Sequence, residues 1–192
     1  MSGHRASVTI SGIVFTGFMG AGKTTVGELL ATRLGWRFVD SDRVVEERAG
    51  MTVGEIFADQ GEAAFRELEA AAIRDTARGE HVVLALGGGA LERAETREFL
   101  AGMPGWRVIF LDAPLEVLLA RCAEHAEGPV RPVLWDRDRL AERWKARLPW
   151  YREAHLTIET AERTPQAVVE CVLAELEDFS SGRTYVTRGV SA

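Results

Sequence analysis

The chain has 192 residues and a mass of 21.1 kDa, which suits one domain of ordinary size with a full hydrophobic core. With 46% hydrophobic and 27% charged residues, its composition is that of a soluble globular protein and excludes a disordered or fibrous chain. A net charge of −6 and a pI of about 5.3 argue against a protein that binds nucleic acid or an anionic membrane through a basic face.

Two features bear on the cellular compartment. Residues 6–22 carry no charge, but polar residues and glycines leave only residues 13–15 as an unbroken apolar run. A membrane span needs about 20 apolar residues, so we expect neither a signal peptide nor a span, and a cytosolic protein. Cys122 and Cys171 lie 49 positions apart without a CxxC pattern, so we expect reduced core thiols and neither a disulfide nor a zinc site.

Apolar runs alternate with helical patterns along the whole chain. The predicted strands are residues 10–15, 37–39, 82–86, 108–111 and 156–158. The predicted helices are residues 24–34, 41–49, 52–58, 62–78, 92–100, a helix opened by Pro114, one near 140–147, and one from 165 to about 177. Thr52 with Glu55 suits a capping box, and Thr164 suits an N-cap.

This alternation predicts a single three-layer α/β/α domain over residues 1–179. Short apolar strands separated by helices favour a parallel sheet of five strands that is covered on both faces. The polar segment 124–138 interrupts the pattern and is predicted to be a mobile lid. Residues 180–192 are rich in Ser, Gly, Thr and Arg, and we expect them to form a flexible tail.

The strongest motif is G-F-M-G-A-G-K-T at residues 17–24, which fits G-x-x-x-x-G-K-[ST] in full and lies between a predicted strand and a predicted helix. Such a loop curls so that backbone N–H groups point at phosphate oxygens, and the helix N-terminus adds partial positive charge. Lys23 would reach the β- and γ-phosphates, and the Thr24 hydroxyl would bind Mg²⁺. The chain has only two lysines, so a lysine at this position favours a phosphate loop over a structural glycine-rich turn.

Two aspartates follow the second predicted strand, in the sequence Asp40-Ser41-Asp42. Functional groups of open α/β sheets gather at the carboxyl ends of strands. One carboxylate can therefore orient a metal ion while the other faces an acceptor hydroxyl. Alone, the pattern slightly favours an aspartate that caps the next helix, but its place beside the phosphate loop reverses that preference and favours the functional interpretation.

Gly87-Gly88-Gly89 ends the third predicted strand. Three glycines cost backbone entropy, so they indicate either a tight structural turn or the close approach of a ligand to bare backbone. We favour the second interpretation because of the position at a strand end.

Three arginines are candidates for binding anions. Arg66 lies early in a long predicted helix, where a surface arginine paired with a glutamate three residues later is the simplest interpretation. Arg131 precedes a proline in the predicted lid and is placed to swing over a transferring phosphate. Arg147 lies at the predicted end of its helix.

These elements together resemble the shikimate kinases over residues 10–176, nearly the whole chain. The matching motifs are G-F-M-G-A-G-K-T-T-V-G (17–27), F-V-D-S-D (38–42), I-F-A-D-Q-G-E-A-A-F-R-E-L-E (56–69), L-G-G-G-A (86–90), V-R-P-V-L (130–134) and R-L-P-W-Y (147–151). The resemblance implies a P-loop fold like that of the nucleoside-monophosphate kinases, with strand order 2-3-1-4-5. It also implies ATP-dependent phosphorylation of shikimate to shikimate 3-phosphate, on the route to chorismate and the aromatic amino acids.

The resemblance also implies roles for individual residues. Lys23, Asp42 and Arg131 would be catalytic, with Asp42 at the acceptor hydroxyl and Arg131 on the γ-phosphate. Thr24 would bind Mg²⁺ directly and Asp40 through water. The shikimate site would comprise Asp42, Arg66, Gly87, Gly88, Gly89 and Arg147. The ATP site would comprise Gly20, Ala21, Gly22, Lys23, Thr24, Thr25, Arg121, Arg131, Arg163 and Pro165.

Two alternatives stay open at the level of sequence. One is a kinase of another small hydroxy acid, such as gluconate, and the other is a catalytically weak paralogue that only binds nucleotide. Asp42, Arg66 and the three glycines favour a cyclic hydroxy acid, while the presence of Lys23 favours an active enzyme. We expect a monomer whose partners are small molecules, without nucleic acid or membrane.

Overall fold

A parallel five-stranded sheet forms the centre of the protein. The computed structural model describes residues 9–124 and 137–180, so Arg131, most of the predicted lid and residues 181–192 lie outside the described residues. The strand order is β2-β3-β1-β4-β5, as predicted. The strands are β1 (Gly12–Thr16), β2 (Arg37–Asp40), β3 (Val82–Ala85), β4 (Trp106–Asp112) and β5 (Leu156–Glu159).

Helices cover both faces of this sheet. The connection from β1 to β2 runs toward one edge and that from β3 to β4 toward the other, so right-handed crossovers place α1 and α5 on opposite faces. The helices are α1 (Lys23–Leu34), α2 (Ser41–Ala49), α3 (Val53–Asp59), α4 (Gly61–Thr76), α5 (Ala94–Ala101), α6 (Leu115–Glu124), α7 (Arg137–Tyr151) and α8 (Pro165–Ser180), with a short 3₁₀ helix at Ala90–Glu92. This is the three-layer α/β/α architecture expected from the sequence.

The predicted caps are present. Thr52 and Glu55 form the complete capping box of α3. The backbone N–H of Ala167 donates to Thr164 Oγ1 over 3.2 Å at the start of α8. Local side-chain chemistry therefore fixed these two helix starts, because both partners lie within three residues of each other.

The predicted helix over residues 92–100 was wrong at its start. The chain forms the 3₁₀ turn first, then Arg93 is extended at φ −79° and ψ 124°, and α5 begins only at Ala94. Arg93 pairs with Glu67 of α4 over 2.5 Å, a contact across 26 residues of chain that no local pattern signals. Glu92 lies in the 3₁₀ turn and not in α5.

Helix α7 also differs from its predicted end near residue 147, because it continues through Pro149 to Tyr151. A proline inside a helix removes one hydrogen bond and crowds the preceding turn. Here tertiary packing outweighs that cost: Tyr151 is 1% exposed, and its ring stacks on Phe110 of β4.

Two predictions made from composition can also be compared with the structure. Cys122 and Cys171 are both thiols, and they are only half-buried, so neither is the fully buried core residue that was predicted. Within residues 9–124 and 137–180, no helix combines the length and apolar character that a bilayer crossing requires.

The first residue of β4 packs against a glycine in the neighbouring strand. Trp106 is 3% exposed and lies in register with Gly12 of β1, where a β-carbon would overlap the indole ring. Strand β4 therefore begins two residues earlier than the apolar run predicted, because the absent side chain makes room for the tryptophan.

We expect Gly12→Ala to lower the free energy of unfolding by about 1–3 kcal/mol, as overpacking does in a tight core. The matched control is Gly54→Ala in α3, where a β-carbon would meet only Thr52 Oγ1 at 4.0 Å. Urea denaturation of both variants measures the difference. Equal stability of the two variants would contradict this account.

Candidate active site

The phosphate loop joins β1 to α1 and curls through left-handed backbone at three glycines. Gly17, Gly20 and Gly22 have φ values of 143°, 75° and 89°, a region that other residues rarely adopt. A β-carbon at Gly20 would also lie 2.9 Å from the Sγ of Cys122 in α6. The loop therefore depends on glycine both for its path and for its packing.

Lys23 folds back over this loop. Its Nζ donates to the carbonyl oxygens of Gly17 at 2.9 Å and Phe18 at 3.0 Å. Burial lowers the pKa of Lys23 to about 8, although the nearby carboxylates of Asp42 and Asp40 act in the opposite direction. The lysine therefore keeps its charge at neutral pH, facing the carbonyls that a phosphate would replace as its partners.

Asp40 caps the next helix and also contacts the phosphate loop. Its Oδ1 accepts the backbone N–H of Asp42 at 3.0 Å, which caps α2, while its Oδ2 accepts the Thr24 hydroxyl at 3.1 Å. A hydroxyl and a carboxylate thus meet beside the phosphate loop, and such oxygens are the ligands that Mg²⁺ prefers. In the described part of the chain, no three or more His, Cys, Asp or Glu side chains lie close enough together to hold a metal ion.

Asp42 and Glu69 present two unsatisfied carboxylate oxygens at the end of β3. Asp42 Oδ1 and Glu69 Oε1 are buried and have no hydrogen-bond partner in the described structure. A β-carbon on Gly87 would lie 2.5 Å from Asp42 Oδ1 and closer still to Glu69 Oε1. Burial, reinforced by the charge of Asp40, raises the pKa of Asp42. Two buried carboxylate oxygens thus lie against the backbone of residue 87, which leaves room there only for glycine.

The burial of Glu69 predicts a pH-dependent stability. Burial raises its pKa to about 7 in the folded protein, from an ordinary value of 4.5, even though Arg66 acts in the opposite direction. The folded state therefore holds more protons than the unfolded chain between these values, so stability falls as pH rises through this window. We expect the free energy of unfolding of the wild type to fall by on the order of 2 kcal/mol through this window, and Glu69→Gln to remove that fall.

Urea denaturation at pH 5 and pH 8 measures that fall. Glu67→Gln is the matched control, because Glu67 lies two positions earlier on α4 but its side chain is 67% exposed. A Glu69→Gln variant whose stability falls as much as that of the wild type would refute the assignment.

Arg66 is paired with the glutamate three residues later, yet it is not the exposed residue that such a pattern usually indicates. Its Nη1 donates to Glu69 Oε2 at 2.7 Å and its Nη2 to Glu62 Oε1 at 3.0 Å, and its side chain is only 12% exposed. A β-carbon at Gly89 would collide with the guanidinium group. The third glycine of the turn thus lets Arg66 lie against bare backbone.

Arg147 comes to the same turn from α7. It is 7% exposed, and a β-carbon at Gly88 would lie 3.6 Å from its Nη1. Its Nε donates to Glu92 Oε1 at 2.7 Å, its Nη2 forms an ion pair with the same oxygen at 2.6 Å, and Arg66 Nη2 lies 4.0 Å from that oxygen. The two predicted carboxylate-binding arginines therefore converge on one carboxylate oxygen of the chain itself.

The turn 87–89 is held by two further side chains. Ser41 Oγ accepts the backbone N–H of Gly87 at 2.9 Å, and the Tyr151 hydroxyl donates to the carbonyl oxygen of Gly88 at 2.5 Å. These bonds link the ends of β2, β3 and α7, so the backbone that a ligand would meet is fixed from both sides.

On the nucleotide side, the structure brings Arg121 to the loop that follows β5. Its guanidinium donates to Thr160 Oγ1 at 3.0 Å and to the Thr160 carbonyl oxygen at 2.5 Å. Arg163 lies in the same loop but donates to Cys171 Sγ over 2.5 Å, and Pro165 opens α8. Thr25 is exposed on the first turn of α1, whereas Ala21 is buried in the loop.

Sequence reasoning missed four contributors: Ser41, Glu69, Glu92 and Tyr151. Glu69 was visible only as the simplest partner of Arg66, and its burial was the missing information. Glu92 and Tyr151 meet their partners across 55 and 63 residues of chain, and no local spacing signals such contacts. Ser41 lies between Asp40 and Asp42, and only the two aspartates were assigned a role.

Comparison with known proteins identifies the family. The family model described as shikimate kinase matches residues 19–177. A shikimate kinase from Psychrobacter cryohalolentis is 42% identical over 170 residues, covering 87% of this chain and 89% of that protein. The solved structure of shikimate kinase from Acinetobacter baumannii in complex with shikimate has a TM-score of 0.81 at 36% identity, covering 92% of this chain and 97% of that one.

A gluconokinase from Sinorhizobium meliloti is a more distant structural neighbour. It has a TM-score of 0.53 at 20% identity, with 92% of this chain and 96% of that one covered. This level of identity shows a shared fold and carries no functional assignment, so the gluconate alternative gains nothing from it. By its sequence and by its fold, the chain belongs to the shikimate kinase family.

Proposed function

We propose that the protein transfers the γ-phosphoryl group of ATP to the 3-hydroxyl of shikimate, giving ADP and shikimate 3-phosphate. The observation that carries this proposal is the unpartnered, buried Oδ1 of Asp42, which feels the charges of both Lys23 and Arg66. A carboxylate between a phosphate-binding lysine and a carboxylate-binding arginine suits a small acid whose hydroxyl is to be phosphorylated.

Asp42 supports the reaction as the proton acceptor. The 3-hydroxyl oxygen attacks the γ-phosphorus, the bond from that phosphorus to the β–γ bridging oxygen breaks, and the hydroxyl proton passes to Asp42. Burial and the charge of Asp40 raise the pKa of Asp42, which makes its carboxylate a stronger base than an ordinary aspartate. Lys23 neutralises charge on the phosphates once its bonds to the loop carbonyls are exchanged.

Thr24 and Asp40 fit a magnesium ion that accompanies the nucleotide. Their oxygens are 3.1 Å apart beside the phosphate loop, and a hydroxyl and a carboxylate are both suitable ligands. We assign Thr24 as the direct ligand and Asp40 as a ligand through water. The ion would supply positive charge to the phosphates.

Adenine is assigned to the loop after β5, where Arg121 is anchored on Thr160 and Pro165 begins α8. Arg163 contributes from the same loop, and Thr25 from the first turn of α1. Arg131 is assigned to the γ-phosphate by its motif alone, since it lies outside the described residues. A kinase that draws on ATP suits the cytoplasm.

The expected monomer remains a prediction. Phe57 is the one large apolar side chain that is exposed in the described ranges, which leaves little apolar surface there for a second copy.

The test is a coupled assay of ADP release with Mg·ATP and shikimate, with gluconate and no acceptor as parallel reactions. Turnover with shikimate alone is the expected result. Lys23→Ala controls for a contaminating kinase, and its activity must disappear. Turnover with gluconate, or ADP release that does not depend on an acceptor, would contradict the proposal.

A further inference from the structure

Glu92 occupies the place where a substrate carboxylate is expected. Its Oε1 accepts the Nε–H of Arg147 at 2.7 Å and lies 2.6 Å from Arg147 Nη2, and the same oxygen lies 4.0 Å from Arg66 Nη2. A carboxylate oxygen at the edge of a guanidinium makes the charge-assisted contact by which arginine binds carboxylates. The chain therefore places its own carboxylate on the arginines that the proposed function assigns to shikimate.

The Glu92 carboxylate is free to leave this position. Its side chain is 33% exposed, whereas the side chain of Glu69, the nearest partner of Arg66, is 2% exposed. The backbone around it is fixed, because Arg97 Nη1 donates to the carbonyl oxygens of Leu91 at 2.6 Å and Glu92 at 3.1 Å. Rotation of the glutamate side chain alone would clear the site.

The local charges make the departure of Glu92 favourable when an acid binds. Arg66 already faces Glu62 at 3.0 Å and Glu69 at 2.7 Å, and Glu92 faces Arg147. The charges of both arginines are therefore balanced, and a substrate carboxylate beside Glu92 would add an excess negative charge. Like charges held this close in a partly buried site repel each other strongly. The substrate carboxylate can pair fully with Arg147 only if Glu92 gives it up.

We propose that Glu92 is a built-in competitor for the substrate carboxylate and a determinant of specificity, an inference that rests on the proposed function. In the free enzyme it holds Arg147 and Arg66 together. An incoming carboxylate displaces it toward solvent, whereas a neutral polyol cannot, because it offers the arginines no charge in exchange. Glu92 thereby lowers the affinity for the acid, which must displace it, and leaves the affinity for uncharged hydroxy compounds, which do not displace it, unchanged.

The test measures KM and kcat for shikimate and for its neutral methyl ester, in the wild type, Glu92→Gln and Glu92→Ala. We expect both variants to lower KM for shikimate by about three- to tenfold, while KM for the ester stays within about twofold. The matched control is Glu67→Gln, which removes a charge on the same side of the turn but pairs with Arg93 and neither active-site arginine. Calorimetric titration with shikimate in the presence of ADP measures binding without turnover.

Each outcome decides the matter. A lower KM for the acid alone supports competition. An unchanged or higher KM for shikimate overturns competition and indicates that Glu92 supports Arg147. An equal change in KM for acid and ester, or a similar effect of Glu67→Gln, also overturns it. A wild type that neither turns over nor binds shikimate overturns the inference together with the proposed function, so failure of the variants alone is distinguishable from failure of both.

Discussion

Asp42→Asn is expected to lose about 100- to 10,000-fold in kcat while its affinity for ATP stays within about twofold of the wild type. Asparagine has nearly the same shape as aspartate, but its amide oxygen cannot take up the proton of the acceptor hydroxyl. The position of Asp42 Oδ1, buried without a hydrogen-bond partner, leaves that oxygen available to the substrate. Nucleotide binding depends on the phosphate loop, which the substitution does not touch.

The pH dependence of kcat gives this prediction a second readout. Because burial and Asp40 raise the pKa of Asp42, it is protonated at a higher pH than an ordinary aspartate, and kcat of the wild type should fall as pH drops through that value. The residual activity of Asp42→Asn should lack this fall. Asp59→Asn, the same change at an exposed position of α3, should behave like the wild type in both respects.

Near-normal turnover by Asp42→Asn would remove Asp42 as the proton acceptor. Loss of ATP binding along with turnover would indicate a collapsed site instead of a missing base. Titration with ADP and a thermal melt separate these results. A variant that is folded and binds nucleotide but does not turn over is expected only if Asp42 is the proton acceptor.

Local patterns predicted those parts of the molecule that local physics determines. The phosphate loop and the capping box at Thr52 rest on contiguous motifs, and the covered parallel sheet rests on strands alternating with helices, so local patterns were sufficient for them. The strand order, in contrast, was implied only by the family resemblance. The helix over residues 92–100 was predicted to begin two residues too early, because helical spacing does not reveal the 3₁₀ turn at Ala90–Glu92 or the contact of Arg93 with Glu67 of α4. Helix α7 outlasts Pro149 for a similar reason, since the burial of Tyr151 is tertiary.

In the site, too, local contacts were predicted and tertiary contacts were not. Of the two interpretations of Asp40, the helix cap is confirmed, and its second oxygen accepts the Thr24 hydroxyl, which leaves the metal-binding role a prediction. Arg66 was correctly paired with an acidic neighbour on its helix, but the pattern could not reveal that the pair is buried. The position of Glu92 was beyond prediction from spacing, because it depends on α7 bringing Arg147 across 55 residues of chain.

Arg66→Ala is expected to raise KM for shikimate by about 30-fold, which corresponds to the loss of a charge-assisted hydrogen bond of about 2 kcal/mol. The KM for ATP should stay within about twofold, because Arg66 lies at the turn of residues 87–89 and its described ion pairs are all with glutamates of α4 and the 3₁₀ helix. Arg66→Lys should fall between the wild type and the alanine variant, since lysine keeps the charge but not the planar fork.

The alanine variant removes more than a substrate contact, because it leaves Glu69 buried without its arginine. An unpaired buried charge destabilises a protein by several kcal/mol, so a raised KM alone would not separate binding from folding. The double variant Arg66→Ala/Glu69→Gln removes that charge and should recover stability while KM for shikimate stays high. Its preference for shikimate over the methyl ester should also shrink by about 30-fold, since only the acid loses an ion pair. Equal increases in KM for ATP and shikimate, or a preference for the acid that survives in the double variant, would show that Arg66 supports the fold and does not bind the substrate carboxylate.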